Sequence, residues 1–279
     1  MSMSVEDGVP PAFVAWSHVA LAATVLLALA AHAGVLGSLR GHLRPVAAYA
    51  VVQVAIPFPL LASGERHVSS SLTAILVAAV PLLVALLALR LDRDERASGR
   101  RLVGLLLGLA GVGALVGVEV SGTWLELLGA GQILLASLGF ALGSIVVKRH
   151  LTGVDPRVAM GASLALATVL LGLPAALDGP TELPSTDAWA AMAALALLCT
   201  AAGLVALAIL IREIGPGRAM VVTYVNPLVA VVLGMVVLSE RPGLGAIAGL
   251  ALILLGSSLA TGVGERRREP VLAVTAGGR

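Results

Sequence analysis

The chain of 279 residues is too apolar for a water-soluble fold. Hydrophobic residues make up 58% of it and charged residues only 12%, against about a quarter in soluble domains, and the mean hydropathy is +1.01. A soluble protein of this length has no interior large enough for so much apolar surface, so the bilayer must be its solvent. The net charge of +2 gives no indication of a nucleic-acid partner, and the single cysteine, Cys199, excludes an intrachain disulfide and a Cys-cluster metal site.

Nine apolar segments follow one another along the chain, each close to the roughly 20 residues that a helix needs to cross a bilayer. They are approximately residues 12–36, 45–63, 69–89, 102–119, 125–147, 157–177, 187–211, 217–239 and 243–262. No polar stretch between them is long enough for a soluble domain, and the polar tail at 264–279 is expected to be a disordered cytoplasmic segment. The predicted fold class is an all-α integral membrane protein with nine transmembrane helices.

The basic residues lie on one side of this predicted bundle. When the nine spans are threaded through a membrane, sixteen of the eighteen Lys and Arg residues fall on the same side, and only Arg66 and Arg241 fall opposite. This side is the cytoplasm by the positive-inside rule, so we expect the N-terminus outside and the C-terminus inside. Trp16, Trp124 and Trp189 lie near outer ends of spans, as interface anchors do. The Ala-, Leu-, Val- and Gly-rich composition favours a bacterial plasma membrane.

Two prolines within apolar runs mark an internal repeat. With Pro81 set against Pro227, the matched residues are Arg66 and Arg212, Glu95-Arg96 and Glu240-Arg241, Gly104 and Gly249, and Gly111 and Gly256. The first Glu-Arg pair lies on the predicted inner side and the second on the outer side, so the two copies have opposite orientations. Inverted repeats are an architecture of secondary transporters, with the substrate site near the middle of the membrane. Chance similarity among Leu-, Val- and Gly-rich helices is the alternative.

The repeated segments resemble the EamA domains of the drug/metabolite transporter superfamily. The matching stretches are "SSLTAILVAAVPLLVALLAL" leading to Glu95-Arg96, "LVGLLLGLAGVGALVG", and "VVTYVNPLVAVVLGMVVLSERPGLGAIAGLALILLGSSLA". The resemblance implies a four-helix repeat at 11–119 and a five-helix repeat at 124–262. Members of the family generally have ten helices and move small metabolites such as amino acids, often outward.

The resemblance also implies two departures in this chain. The segment "GVPPAFVAWSHVALAATVLL" matches the second helix of the family, so the first of the ten helices is expected to be missing. A start site placed too far downstream is the simplest explanation, with genuine loss or assembly with a second chain as alternatives. The family commonly has a basic residue where His18 stands.

The stretch "TYVNP" gathers polar groups deep inside an apolar run. Asn226 lies near the centre of its predicted span and needs partners, because an unsatisfied polar group in hydrocarbon costs several kcal/mol. Pro227 has no N–H and therefore frees the carbonyl of Thr223, while Tyr224 adds a ring and a hydroxyl. We predict that Thr223, Tyr224 and Asn226 contact substrate and that Pro227 and Pro81 are hinges. The alternative is that Asn226 only bridges neighbouring helices.

Two further helix faces are predicted to border the same cavity. Tyr49, Gln53 and Pro57 follow one another at intervals of four and share one face, with Pro57 as another hinge. Prolines are also tolerated near helix ends without any functional role, which is the alternative. Gln132 and Phe140 form a comparable face in the fifth span.

Three smaller features have mainly structural interpretations. Gly139 and Gly143 are more typical of close helix packing than of binding. His18, near the outer end of the first span, is a candidate for contact with an anionic substrate or for proton transfer, and equally for an interfacial histidine. Ser69-Ser70-Ser71 is predicted to cap the N-terminus of its helix.

Two kinds of residue pattern are absent from the predicted spans, and their absence separates a transporter from a carboxylate-coupled pump and from a membrane enzyme. No Asp or Glu falls in the central part of any predicted span, which disfavours a pump coupled through buried carboxylates. The five histidines lie scattered at span ends, without metal-ligand spacing or a clear nucleophile partner, so a polytopic membrane enzyme is the weakest alternative. No metal or cofactor is expected.

The sequence therefore predicts a secondary transporter of small polar or zwitterionic metabolites that works by alternating access in the lipid bilayer. An inactive or incomplete transporter remnant is the other alternative. The sequence leaves substrate identity, transport direction and energy coupling open, and a homodimer stays an option.

Overall fold

The computed structural model of the chain describes residues 9–91, 99–119, 123–177, 179–180, 184–219 and 243–261. All regular secondary structure in these ranges is helical. The α-helical elements are α1 (Pro11–His32), α2 (Leu43–Gly64), α3 (Ser70–Val77), α4 (Val80–Leu91), α5 (Gly99–Glu119), α6 (Trp124–Leu151), α7 (Pro156–Leu177), α8 (Thr186–Ile214), α9 (Pro216–Ala219) and α10 (Leu244–Thr261), and a short 3-10 helix covers Leu36–Leu39 between α1 and α2.

Helices lie where the sequence predicts apolar spans. The five elements α1, α2, α6, α7 and α8 are long and apolar enough to cross a membrane, and shorter apolar helices cover Leu72–Ala88, Leu102–Gly113 and Ile247–Leu259. Most of the predicted span at 217–239 lies outside the described residues. Within the described ranges the molecule is thus an all-helical bundle of the membrane type.

Short polar side chains start several of the helices. The N–H of Leu72 donates to Oγ of Ser69 at 3.1 Å, which confirms the predicted cap of α3. Thr123 and Ser185 accept the corresponding N–H at the starts of α6 and α8. Gly34, with φ of +71°, follows the end of α1 and takes the chain into the turn before α2.

The helices depart from α-geometry at four places within the described ranges. One of them was indicated by the sequence, because α3 and α4 are separated at Ala78 and Ala79, within one turn of the predicted hinge Pro81. The other three are π-helical segments at Ala50–Ala55 in α2, Val147–Leu151 in α6 and Leu195–Ala202 in α8. Segments of this kind are rare and often mark functional positions.

Glycines let α5 and α10 pack with their backbones in contact. A Cβ added to Gly256 would lie 2.6 Å from the carbonyl oxygen of Gly104, and one added to Gly111 would lie 3.1 Å from the carbonyl oxygen of Gly249. No larger residue fits this spacing without moving one helix. These are the four glycines whose spacing suggested the repeat.

Candidate substrate site

An aromatic row connects α1, α2 and α6. The imidazole of His18 stacks on the ring of Phe58, with ring centroids 5.6 Å apart and planes inclined by 17°. Phe58 in turn meets the ring of Phe140 edge-on, at 6.4 Å and 74°. The row contains two of the three phenylalanines of the chain. Two predicted site residues, His18 and Phe140, thus share one neighbour.

His18 lies in the protein interior rather than at a surface. It is 2% exposed, and it is the one buried residue among the five histidines, all of which are described. Its Nδ1 lies 2.6 Å from the carbonyl oxygen of Val14, one helical turn earlier. A carbonyl only accepts, so Nδ1 carries the proton, and Nε2 of the neutral ring is left as an acceptor.

The face of α2 that was predicted from the four-residue spacing is buried. Tyr49 is 2% exposed and lies in the main hydrophobic core, Gln53 is 5% exposed, and Pro57 is also buried. The two glycines of α6 pack onto this face, because a Cβ on Gly139 would lie 2.6 Å from Cγ of Pro57 and one on Gly143 would collide with the amide of Gln53. The packing interpretation of these glycines is therefore confirmed.

Three buried side-chain oxygens on neighbouring elements have no hydrogen-bond partner. They are Oε1 of Gln53 on α2, Oγ1 of Thr73 on α3 and Oε1 of Gln132 on α6. A buried polar group without a partner is costly, and such groups are frequent where a ligand or water binds. Two of the three are predicted site residues, while Thr73 was not predicted.

Several predicted residues cannot be placed relative to this group. Thr223, Tyr224, Asn226 and Pro227 lie outside the described residues, as does the tail at 264–279. Gln132 is two helical turns from Phe140 on α6, next to the contact that Gly129 makes with Gly64 of α2. The described geometry therefore brings together His18, Gln53, Pro57 and Phe140.

Two ionisable groups mark the ends of the spans. Glu65 follows the end of α2 and is partly buried, and this burial raises the pKa of its carboxyl. Asp155, before α7, accepts two hydrogen bonds from the Arg157 guanidinium, at 3.0 and 2.9 Å, and these hold its pKa below the usual value. The N–H of Asp155 donates to Oγ of Ser38 at 3.4 Å, which ties this turn to the one between α1 and α2.

The described part of the chain contains no group of three or more His, Cys, Asp or Glu side chains that could hold a metal ion.

Long apolar helices with polar groups turned toward the interior define a multi-pass membrane protein. The chain belongs to the EamA-like transporter family, which it matches over residues 1–117 and again over residues 127–262. It is similar to "Uncharacterized inner membrane transporter YedA" of Escherichia coli K12, with 33% identity over 214 residues, which are 70% of this chain and 66% of the relative. The YedA proteins of Escherichia coli O6:H1 and O157:H7 give the same values. The alignment thus spans just under two thirds of these relatives.

One solved structure, described only as "Crystal structure of protein", superposes with a TM-score of 0.72. The superposition covers 95% of this chain and 93% of that one, at 22% identity. Similarity at this level of identity supports the fold alone.

Proposed function

We propose that this chain is a secondary transporter that moves small polar or zwitterionic metabolites, such as amino acids, across the bacterial plasma membrane by alternating access. The observation that carries the proposal is the set of unpartnered buried oxygens on Gln53, Thr73 and Gln132, on elements that also carry Phe58 and Phe140. A polar ligand passing through the bundle supplies partners that hydrocarbon does not. Thr223, Tyr224 and Asn226 complete the site in this proposal.

The same proposal includes two inverted repeats, at 11–119 and 124–262. The glycine contacts between α5 and α10 support it, because Gly104 meets Gly256 while Gly111 meets Gly249. The repeat alignment matches Gly104 with Gly249 and Gly111 with Gly256. The two contacts are therefore equivalent under the repeat. A two-fold axis in the membrane plane relates antiparallel helices in this way.

Two serine contacts support the same symmetry. Oγ of Ser17 on α1 lies 3.1 Å from Sδ of Met192 on α8, and Oγ of Ser163 on α7 lies 3.3 Å from the carbonyl oxygen of Val46 on α2. The offset in sequence from Ser17 to Ser163 equals the offset from Val46 to Met192, so the repeat matches both pairs of residues. Each repeat therefore contributes a serine that reaches, in the other repeat, the α-helix directly after the one that carries the matching serine.

The proposed orientation has the C-terminus in the cytoplasm. The hydrogen bond between Asp155 and Ser38 supports it, since the two turns that it joins both carry basic residues and both belong to the predicted inner side. A C-terminal green fluorescent protein fusion is expected to fluoresce, and a C-terminal alkaline phosphatase fusion to be inactive. The reverse pattern would contradict the orientation.

The transport proposal is tested by growth of expressing cells on a panel of toxic amino acids and amino acid analogues. Resistance indicates export, and increased sensitivity indicates import. Gln132→Leu removes an unpartnered oxygen and is expected to abolish the effect on growth. The matched control is Leu135→Ala on the same helix, because Leu135 is 52% exposed on the lipid-facing side.

The outcomes separate the alternatives. An effect that is lost in Gln132→Leu and in Asn226→Ala but kept in Leu135→Ala supports both the function and the site. An effect that both site variants keep contradicts the site. No effect across the panel, from a protein that is present in the membrane, contradicts amino acids as the substrate class.

A further inference from the structure

The middle of α2 leaves a backbone oxygen without its usual partner. In the π-helical segment the N–H of Ile56 donates to the carbonyl of Val51 at 3.1 Å, five residues back. The next residue, Pro57, has no N–H. The carbonyl of Val52 therefore receives no hydrogen bond from the residues four and five positions after it.

A side-chain acceptor lies on the same turn. Gln53 is 5% exposed, and its Oε1 is buried without a hydrogen-bond partner. One turn of α2 thus holds two oxygens that could accept a hydrogen bond, and no donor on this turn provides one. Leaving such a group unpaired destabilises the fold, so the arrangement persists only where something else requires it.

α6 covers both oxygens with glycines. A Cβ on Gly139 would lie 2.5 Å from the Val52 carbonyl oxygen, and one on Gly143 would collide with Oε1 of Gln53. A glycine in a helix interior offers these oxygens only weak C–H donors, since its N–H belongs to its own helix. The two glycines therefore lie against the acceptors without providing a true donor.

We propose that the Val52 carbonyl oxygen and Gln53 Oε1 bind the primary ammonium group of the transported metabolite, and that α6 uncovers them when it moves away from α2. This assignment rests on the proposed function. It narrows the substrate class to compounds with a primary ammonium group.

Both the number and the type of the groups favour an ammonium. Two acceptors on one helical turn favour a ligand group with several N–H donors, and a primary ammonium has three, whereas a carboxylate or phosphate has none. The rings of Phe58 and Phe140 follow Pro57 and Gly139 directly in the chain, and aromatic faces attract cations. A zwitterion brings its own negative charge, so the site needs no buried acid.

The covering role of α6 is tested by thiol accessibility. In a Cys199→Ala background, Gln53→Cys carries the only thiol of the chain. Gly139→Ala pushes against backbone and proline, and it is expected to speed modification by a water-soluble methanethiosulfonate at least tenfold. The control Gly131→Ala, on the same helix with nothing within 4 Å of its Cβ, is expected to leave the rate unchanged. Equal rates in the two glycine variants would overturn the covering role.

The ligand chemistry is tested by thermal unfolding of the purified chain with glycine or N,N,N-trimethylglycine, which are both zwitterions. Only glycine has N–H donors, so it alone is expected to raise the unfolding temperature, by binding the folded state. Gln53→Leu is expected to weaken this binding at least tenfold, and Gln53→Glu, which keeps the acceptors, to retain it. An equal response to both compounds, no response, or a response unchanged in Gln53→Leu overturns the proposal. The unfolding assay measures binding and not transport. It can therefore be interpreted even if the growth assay for the proposed function shows no effect.

Discussion

The contact between α5 and α10 gives the sharpest stability prediction, for Gly256→Ala. The added methyl group would lie 2.6 Å from the Gly104 carbonyl oxygen and 2.6 Å from Cα of Gly108, where ordinary contact begins at 3.4 Å. The two helices must therefore separate by nearly an ångström along a face that both bury. Overpacking of this kind costs about 1–3 kcal/mol.

Gly113→Ala on α5 is the matched control, because its Cβ would meet nothing within 4 Å. Both variants gain the same helix propensity, up to about 1 kcal/mol, so this contribution cancels when they are compared. The free energy of unfolding, measured in mixed detergent micelles, is expected to be about 1–3 kcal/mol lower for Gly256→Ala than for Gly113→Ala. Equal stability of the two variants would refute the close contact between the backbones.

Three further outcomes follow from the described side chains. Gln53→Leu is expected to raise the free energy of unfolding by about 1–3 kcal/mol in the same micelle assay, because it removes a buried amide oxygen that has no hydrogen-bond partner; a destabilised variant would contradict this. Burial raises the pKa of Glu65 in the folded state. The free energy of unfolding of the parent is therefore expected to fall as pH rises from the ordinary carboxyl range through the raised pKa. Glu65→Gln lacks this pH dependence and is expected to be the more stable protein at neutral pH. Parallel pH profiles would count against a buried carboxyl. Ser69→Ala is expected to cost about 1 kcal/mol through loss of the cap on Leu72, whereas Ser69→Asp should preserve stability.

Composition and local chemistry were enough to predict the helices and several of their ends. A run of about 20 apolar residues in a bilayer has few options besides a helix, since every backbone group must be paired within the segment. The cap at Ser69 and the interruption before Pro81 depend on residues within one helical turn of the event. Local sequence contains that information directly.

The π-helical segment of α2 and the residues that neighbour the site could not be predicted from local sequence. The π-helical segment Ala50–Ala55 packs against Gly139 and Gly143 of α6, and this contact is distant in sequence. Phe58 and Thr73 drew no attention because a phenylalanine or a threonine in an apolar run is ordinary unless a pattern singles it out, as the face shared with Gln132 did for Phe140. Most of the other predicted residues were polar side chains or prolines, which are unusual inside a bilayer.

Two of the π-helical segments bear on the evolutionary origin of the proposed repeats. A π turn holds one residue more than the α turn that it replaces, so it amounts to a one-residue insertion into a helix. Leu195–Ala202 spans the positions in the second proposed repeat that correspond to Ala50–Ala55 in the first. One insertion in an ancestral half, before the gene duplicated, accounts for both wide turns, whereas independent origin needs two events at one position.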